Sequence, residues 1–408
     1  MITYMITKKV FSWSLYDFGN TAFLALFITF FFPILIKVHL GGNEFQIGLV
    51  MGLSILVAAL FVPLIGAISD ASGKRMPLLI VFTIITAAAT ILVGYSGLIL
   101  AFIIAAIANI SHKISFDIYD AKMIDIVSPS SFGYLSGFGN AVGYFGTIGA
   151  LAVAYPILSH FGWESLSGIR AVFWEAAAFY IIFSLPLFFF VPDKIKQVKV
   201  GFVKAFKKGL KEIKHTIASL VVRKAGRRTF STFSRFLAAS FMYNNGMNTV
   251  IIFLALYGRE VIGLGVQQFF PVFAAMALSA AAGSFLFGRL SDKYGPVKMI
   301  KVALSIWIGV IILLILITSY TTFLIVGSLG GVVLGAIWTL NRHMVTTISP
   351  THKIAEFFGF EGLTEKFSGV IGPIVFGYLA ITFGYTEALI SIIVFLIIGL
   401  ALFRPIKI

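Results

Sequence analysis

Five groups of polar residues stand inside otherwise apolar stretches of the chain, and their types limit the chemistry open to them. Asp17 and Asn20 lie three residues apart, on one face of a helix. Tyr243, Asn244, Asn245, Asn248 and Thr249 bring three amides and two hydroxyls into a short run, a donor and acceptor set suited to a polar solute. The same asparagines serve equally well as bonds between helices. Asn109, His112, Lys113 and Asp117 form a third group, in which Asp117 follows Lys113 by one helical turn. Asn341, Arg342 and His343 form a fourth, and Glu361, Glu365 and Lys366 a fifth. Charges inside hydrocarbon cost roughly 2.5 to 3.5 kcal/mol each on insertion scales, so they face a cavity or a partner. Two chemistries fit. Ion pairs among Lys113, Asp117, Arg342, Glu361, Glu365 and Lys366 can close and open a gate, or a carboxyl at Asp17, Glu361 or Glu365 can carry a proton. Asp17 also suits an ammonium group. His112 and His343 lack metal-ligand spacing and read as local hydrogen-bonders, and Glu175 reads as an interfacial residue.

The elements that hold these groups follow from composition. The 408 residues carry a formal net charge of +15, which in a soluble protein would favour nucleic acid. With 59% hydrophobic and 12% charged residues there is too little polar surface to coat a soluble globule of this size. No nucleic-acid partner is therefore expected. Crossing about 30 Å of hydrocarbon takes about 20 apolar residues, and such runs occur at 11–36, 46–69, 76–95, 97–119, 133–158 and 171–191. A second six lie at 234–257, 266–290, 297–317, 321–345, 357–381 and 386–404. The expectation is an all-α membrane protein of twelve transmembrane helices, with six-helix bundles over 1–191 and 234–408. The first apolar run is long enough to be a span rather than a signal peptide. Lys and Arg concentrate on loops of one face, which places both termini in the cytoplasm.

Between the halves, 192–233 reads as a basic cytoplasmic linker. Phe202, Phe206, Leu210, Ile213, Ile217 and Leu220 recur at helical spacing among lysines, the pattern of an amphipathic helix over 202–224 lying on anionic lipid. With no Cys, disulfides and thiolate metal sites are excluded. No nucleotide loop, His-Glu-x-x-His or Gly-x-Ser-x-Gly motif occurs, so neither an ATP-driven pump nor a membrane protease is indicated. The expectation is a protein that is not an enzyme and uses no cofactor or metal.

The halves repeat. Gly66, Ile68, Ser69, Asp70 and Gly73 after span two reappear as Gly288, Leu290, Ser291, Asp292 and Gly295 after span eight. Asp70 or Asp292 can cap a helix end, Gly73 or Gly295 permits the positive φ of a tight turn, and Lys74 and Arg75 hold the first turn at the inner face. Tyr16, Asp17 and Gly19 ahead of Asn20 and Thr21 are echoed by Tyr243, Asn244 and Gly246 ahead of Asn248 and Thr249. Parallel six-helix repeats with a site between them are a transporter design.

The two loop copies resemble the signature of the major facilitator superfamily. Trp13 to Phe23, Tyr243 to Thr249, and Ala355 to Phe360 running on through Glu365, Lys366 and Ser368 to Pro373 resemble its vacuole-effluxer-like (autophagy-related, "unknown major facilitator") family. Asp117 to Ala121 and Gly137 to Gly146 fit as well. The resemblance implies the major facilitator fold, two pseudo-symmetric bundles whose spans one, four, seven and ten line a central cavity. It also implies efflux of small solutes, with amino acids as cargo of fungal vacuolar members. Where that family carries an acid in the span-seven motif, this chain has Asn245, which cannot titrate.

The expected function is alternating-access transport of a small polar solute, an amino acid or related metabolite, with protons as a possible coupling ion. Substrate or coupling residues are Asp17, Asn20, Lys113, Asp117, Tyr243, Asn244, Asn245 and Asn248. Gating residues are Asp70, Arg75, Asp292, Arg342, Glu361, Glu365 and Lys366. Export of amphipathic cargo, a drug or lysolipid, and a non-transporting scaffold stand as alternatives. The expected setting is a monomer in the plasma (inner) membrane, its partners the small-molecule substrate and anionic inner-leaflet lipid.

Overall fold

The computed structural model describes residues 7–72, 75–127, 132–193, 221–224, 227–230, 232–317, 319–349, 354–404 and 406. Six long helices precede the linker: α1 (Lys8–His39), α2 (Glu44–Ser72), α3 (Met76–Val93), α4 (Leu98–Ala121), α5 (Phe132–Phe161) and α6 (Leu166–Phe190). Six follow it: α7 (Thr232–Glu260), α8 (Val266–Tyr294), α9 (Pro296–Leu316), α10 (Tyr320–Ile348), α11 (Ile354–Thr382) and α12 (Tyr385–Phe403). Among the described residues, 9 helices are long and apolar enough to cross a membrane, and the shorter Glu44–Ala59 stretch is apolar too. Their outward faces remain greasy, with Ile99, Phe189 and Leu316 among the most exposed side chains, as hydrocarbon contact requires.

Local chemistry sets the helix ends. Thr7, Ser165 and Ser319 cap α1, α6 and α10 by accepting from Val10, Gly168 and Thr322 backbone N–H groups. Asn43 and Gln46 bond reciprocally ahead of α2. Gly295 sits at φ 81° between α8 and α9, the left-handed turn expected there, and Pro296 opens α9. α1 is less regular than its apolar run suggests. It widens to π-helix over Leu24–Phe31 and Leu35–His39, on either side of Pro33, whose missing N–H breaks the ordinary ladder.

The chain divides into two units, Met1–Gly41 with Leu60–Phe206, and Gly42–Ala59 with Lys207–Ile408. Within unit 1, α1 packs on α5 and α6, α3 on α4 and α6, and α5 on α6. Within unit 2 the same scheme recurs six helices later: α7 on α11 and α12, α9 on α10 and α12, and α11 on α12. The pseudo-symmetry of the two bundles thus extends from sequence echoes to helix pairing. Residues 42–59, the first half of α2, belong to unit 2, where Gly48 and Gly52 lie against the Pro373 and Val370 backbone of α11. There the Tyr385 hydroxyl donates to Glu44 at 2.6 Å.

The linker departs from expectation at the part that is described. Val221–Lys224 and Arg227–Phe230 pair as antiparallel strands β1 and β2, in register Val221 with Phe230 and Lys224 with Arg227. The C-terminal end of the expected 202–224 helix is therefore a hairpin arm. The two valines opposite Thr229 and Phe230 are strong strand formers. The rest of that expected helix, 202–220, lies outside the described residues.

Close packing of α1 on α5 depends on Gly146, where an added Cβ would overlap the Phe18 carbonyl, whereas one at Gly137 would meet nothing within 4 Å. We expect Gly146→Ala to cost about 1 to 3 kcal/mol through overpacking and to lower the thermal midpoint in detergent. Gly137→Ala should hold or raise it, since alanine favours the helix. Equal behaviour of the two variants would contradict the packing.

Candidate functional site

Each unit carries its own polar cluster. In unit 1, α1 presents Asp17 and Asn20 and α4 presents His112, exposed by only 5%, 2% and 1%. Asn20 Nδ2 donates to Asp17 Oδ1 at 3.1 Å, and His112 Nε2 lies 2.6 Å from Asn20 Oδ1. α5 comes close at this level because Gly143 has no side chain: a Cβ there would sit 3.2 Å from Asp17 Oδ2. The Thr21 hydroxyl, bonded to the Gly143 carbonyl, ties the two helices together. Lys113 and Asp117 follow on α4 and are half-buried.

Beside this chain lies a second set that the sequence did not single out. The Tyr16 hydroxyl is 2.5 Å from that of Tyr180 on α6, which is 2.9 Å from Ser115 Oγ, and Thr83 on α3 lies 3.4 Å from Tyr16. Ser115 and Thr83 donate to the His112 and Leu79 carbonyls, so toward the tyrosines they can only accept, and the two phenol protons are shared among the three contacts of the set. Four helices are joined by it.

Two further residues of unit 1 need correction or addition. Glu175, expected at an interface, is 6% exposed, and neither carboxyl oxygen has a hydrogen-bond partner. Its helix is wrapped by α1, α3 and α5, which a hydropathy reading along one helix does not reveal. Lys122, counted from sequence only as a loop charge, is fully buried between Asp125 and Asp193, 2.8 Å from each. Asp193 also accepts from the Met76 N–H at the start of α3, a capping role open to Asp70 from sequence alone. Arg75 Nη1 donates to the Ala121 carbonyl at 3.2 Å. Asp70 falls near the end of α2, and its side chain, with Gly73 and Lys74, lies outside the described residues.

In unit 2 the Tyr243 hydroxyl donates to Asn341 Oδ1 on α10 at 2.6 Å. Asn341 bonds Glu361 of α11, around which Glu365, Arg342 and Lys366 gather closely enough to interact electrostatically. The structure thus collects the fourth and fifth sequence groups into one cluster and joins Tyr243 to it. The three amides of α7 divide their roles. Asn245 is spent on helix contact: Nδ2 donates to the Phe241 carbonyl at 2.7 Å, and Oδ1 accepts from the Gly372 N–H at 2.8 Å. Asn248 Nδ2 reaches Ser368 Oγ at 3.3 Å. Asn244 is 2% exposed, and its Nδ2 has no partner. The second loop copy is engaged within its own unit, with Ser291 Oγ 2.7 Å and Asp292 Oδ1 3.9 Å from His343 Nδ1. Among the described residues no group of three or more His, Cys, Asp or Glu could hold a metal ion.

Residues 18–306 and 270–407 match the family model described as "Major Facilitator Superfamily". An uncharacterized MFS-type transporter of Bacillus subtilis (strain 168), YxiO, is 23% identical over 97% of this chain and 94% of its own length. Among solved structures, a bacterial homolog of the human lysosomal transporter Spinster, inward-facing and unoccupied, superposes with TM-score 0.71 at 17% identity. It covers 98% of this chain and 96% of its own. The nucleoside transporter NupG reaches TM-score 0.74 at 14% identity, over 98% of this chain and 100% of its own. At such identities the solved structures attest the fold.

Two substitutions separate bonded from unbonded buried groups. Asn245→Leu removes the bond from Gly372 of α11 and the bond to Phe241 within α7, and we expect a loss of about 1 to 3 kcal/mol, read as a lowered thermal midpoint. Glu175→Gln removes a carboxyl that has no partner to lose, so its midpoint should equal or exceed that of the wild type. A marked drop would reveal a bonded carboxylate at Glu175.

Proposed function

The chain belongs to the Major Facilitator Superfamily, and from that premise we propose that it moves a small polar or zwitterionic solute across the membrane by alternating access. The finer reading is efflux of an amino acid or related metabolite, as the resemblance to vacuole-effluxer-like proteins implies, with proton coupling suggested by the buried carboxyls. One observation carries it. Asp17 is a carboxyl buried in the middle of a transmembrane helix and held by Asn20 and, through it, His112. Such a group is costly in hydrocarbon and finds its use in binding a cation, an ammonium group or a proton.

The remaining roles follow from chemistry. Asn244, with an amide N–H₂ lacking a partner, and Asn248 supply donors for a carboxylate or carbonyl of the solute, and Tyr243, whose hydroxyl proton goes to Asn341, offers an acceptor. Asn20, Lys113 and Asp117 complete the polar set of the first half. Glu361, Glu365, Arg342 and Lys366 form charge pairs suited to closing one side of the path, joined by Arg75, Asp292 and Asp70 at the loop signatures. By the positive-inside rule those loops and both termini face the cytoplasm, in a plasma membrane. The lysine-rich segment 202–224 contacts anionic lipid there.

A thermal-stabilisation screen of the purified protein against amino acids, nucleosides and lipophilic cations selects the solute, since ligand binding raises the midpoint. Uptake of the labelled hit into proteoliposomes, with and without a pH gradient, then tests transport. For an ammonium-bearing solute, Asp17→Asn should weaken affinity about 10- to 100-fold, the worth of one charge-assisted bond. Movement of a lipophilic dye without any amino acid would replace this reading with amphipathic export. Absence of transport for every class would leave a scaffold.

A further inference from the structure

The hydrogen-bond chain of unit 1 has a direction. A carboxylate can only accept, so Asn20 must turn its NH₂ toward Asp17, where Nδ2 lies 3.1 Å from Oδ1. Its carbonyl oxygen then faces His112 Nε2 at 2.6 Å and requires a donor. His112 therefore carries its proton on Nε2, and Nδ1 is left as a basic lone pair.

That lone pair is unmatched. His112 Nδ1 is buried with no hydrogen-bond partner. Phe23 lies 4.7 Å, Tyr180 6.0 Å and Phe116 6.3 Å from the ring, centroid to centroid, and the contact of Nε2 with Asn20 orients it. Nor does a nearby hydroxyl serve, since Ser115 donates to the His112 carbonyl and accepts from Tyr180. A buried acceptor kept empty in a fixed ring is a position awaiting a proton.

We propose that His112 is a proton-binding residue of the first half, taking a proton on Nδ1 to form an imidazolium that Asp17 balances through Asn20. The step forms one N–H bond with a proton from water on one face of the membrane and breaks it toward water on the other. No electrons move. The proposal rests on the transport reading only in naming this proton as the coupling ion. Titratable groups on the surrounding helices include Tyr16 and Asp17 on α1, Lys113, Asp117, Tyr119 and Asp120 on α4, Tyr144 on α5, and Glu175 and Tyr180 on α6. Burial and Lys113, next to His112, oppose the added charge, and Asp17, joined through Asn20, is the counter-charge on which the proposal relies.

The test does not need the solute. The full-length protein, labelled with ¹⁵N-histidine in lipid nanodiscs, gives nitrogen shifts that distinguish the two neutral tautomers and the imidazolium. The His112 signal is identified by its loss in His112→Gln, or in His112→Asn should the first fail to fold. The expected result is an Nε2–H tautomer at high pH that becomes doubly protonated on acidification, with the imidazolium signal weakened in Asp17→Asn. A neutral Nδ1–H tautomer, or a His112 signal that never changes between pH 4 and pH 9, overturns the proposal. A transport arm reads coupling. Gln keeps an N–H where Nε2–H was and has no titrating atom at Nδ1. The ratio of gradient-driven accumulation to solute exchange should therefore fall in His112→Gln to the value seen without a gradient. Full gradient-driven accumulation in that variant also overturns the proposal. Should the wild type move no solute, the transport reading fails while the nitrogen shifts still decide the protonation.

Discussion

A hydrocarbon interior supplies no water to complete a hydrogen bond, and the polar side chains in these helices are answered largely by other parts of the chain. The two units meet this demand with the same device, an asparagine that joins a carboxyl to a donor on a neighbouring helix. In unit 1 Asn20 joins Asp17 to His112, and in unit 2 Asn341 joins Glu361 to Tyr243. An amide donates at one end and accepts at the other and never titrates, so it carries polarity between helices without adding charge.

Around these bridges, helix contact is won by small residues. Gly143 leaves room for the Asp17 carboxyl, and Gly372 brings α11 against the Asn245 backbone. Hydrophobic burial does little to hold helices together in lipid, so close backbone approach and interhelical bonds take that role. The recurrence of the α1, α5 and α6 pairing in α7, α11 and α12 shows one packing solution used twice. The chemistry placed in it differs: Asp17 is ionisable, while the corresponding stretch of α7 offers only neutral amides.

Most of the twelve helices were legible in the sequence because their spans are long apolar runs, a property of consecutive residues. Gly295 was legible for the same reason, as a local turn requirement that φ 81° meets. Asp17, Asn20 and the Glu361 group stood out as charges and amides in apolar surroundings. Partners on other helices were not legible. Nothing along α4 announces that Ser115 meets Tyr180, and nothing along α6 announces that Glu175 is enclosed by its neighbours. Lys122 illustrates the limit most plainly. Its position in a loop suggested a solvated charge, whereas Asp193, 71 residues away, draws it into a fully buried pair. The hairpin at Val221–Lys224 was hidden by the helical spacing of the lysine-rich run before it, which continues into strand formers.

The same bridge yields different behaviour in the two units because its donor ends differ. Tyr243 donates a hydroxyl proton to Asn341 and has no strongly basic lone pair, so the unit 2 bridge cannot take up a proton at that end. Its carboxyl end, Glu361, is set among Arg342, Glu365 and Lys366, charges of both signs close enough to interact. Such a cluster suits pairs that separate and rejoin. In unit 1 the donor is an imidazole, whose second nitrogen is left basic by the orientation that Asp17 imposes on Asn20. The direction of one amide, set by a carboxylate that can only accept, is thus what distinguishes a proton-binding bridge from a purely structural one.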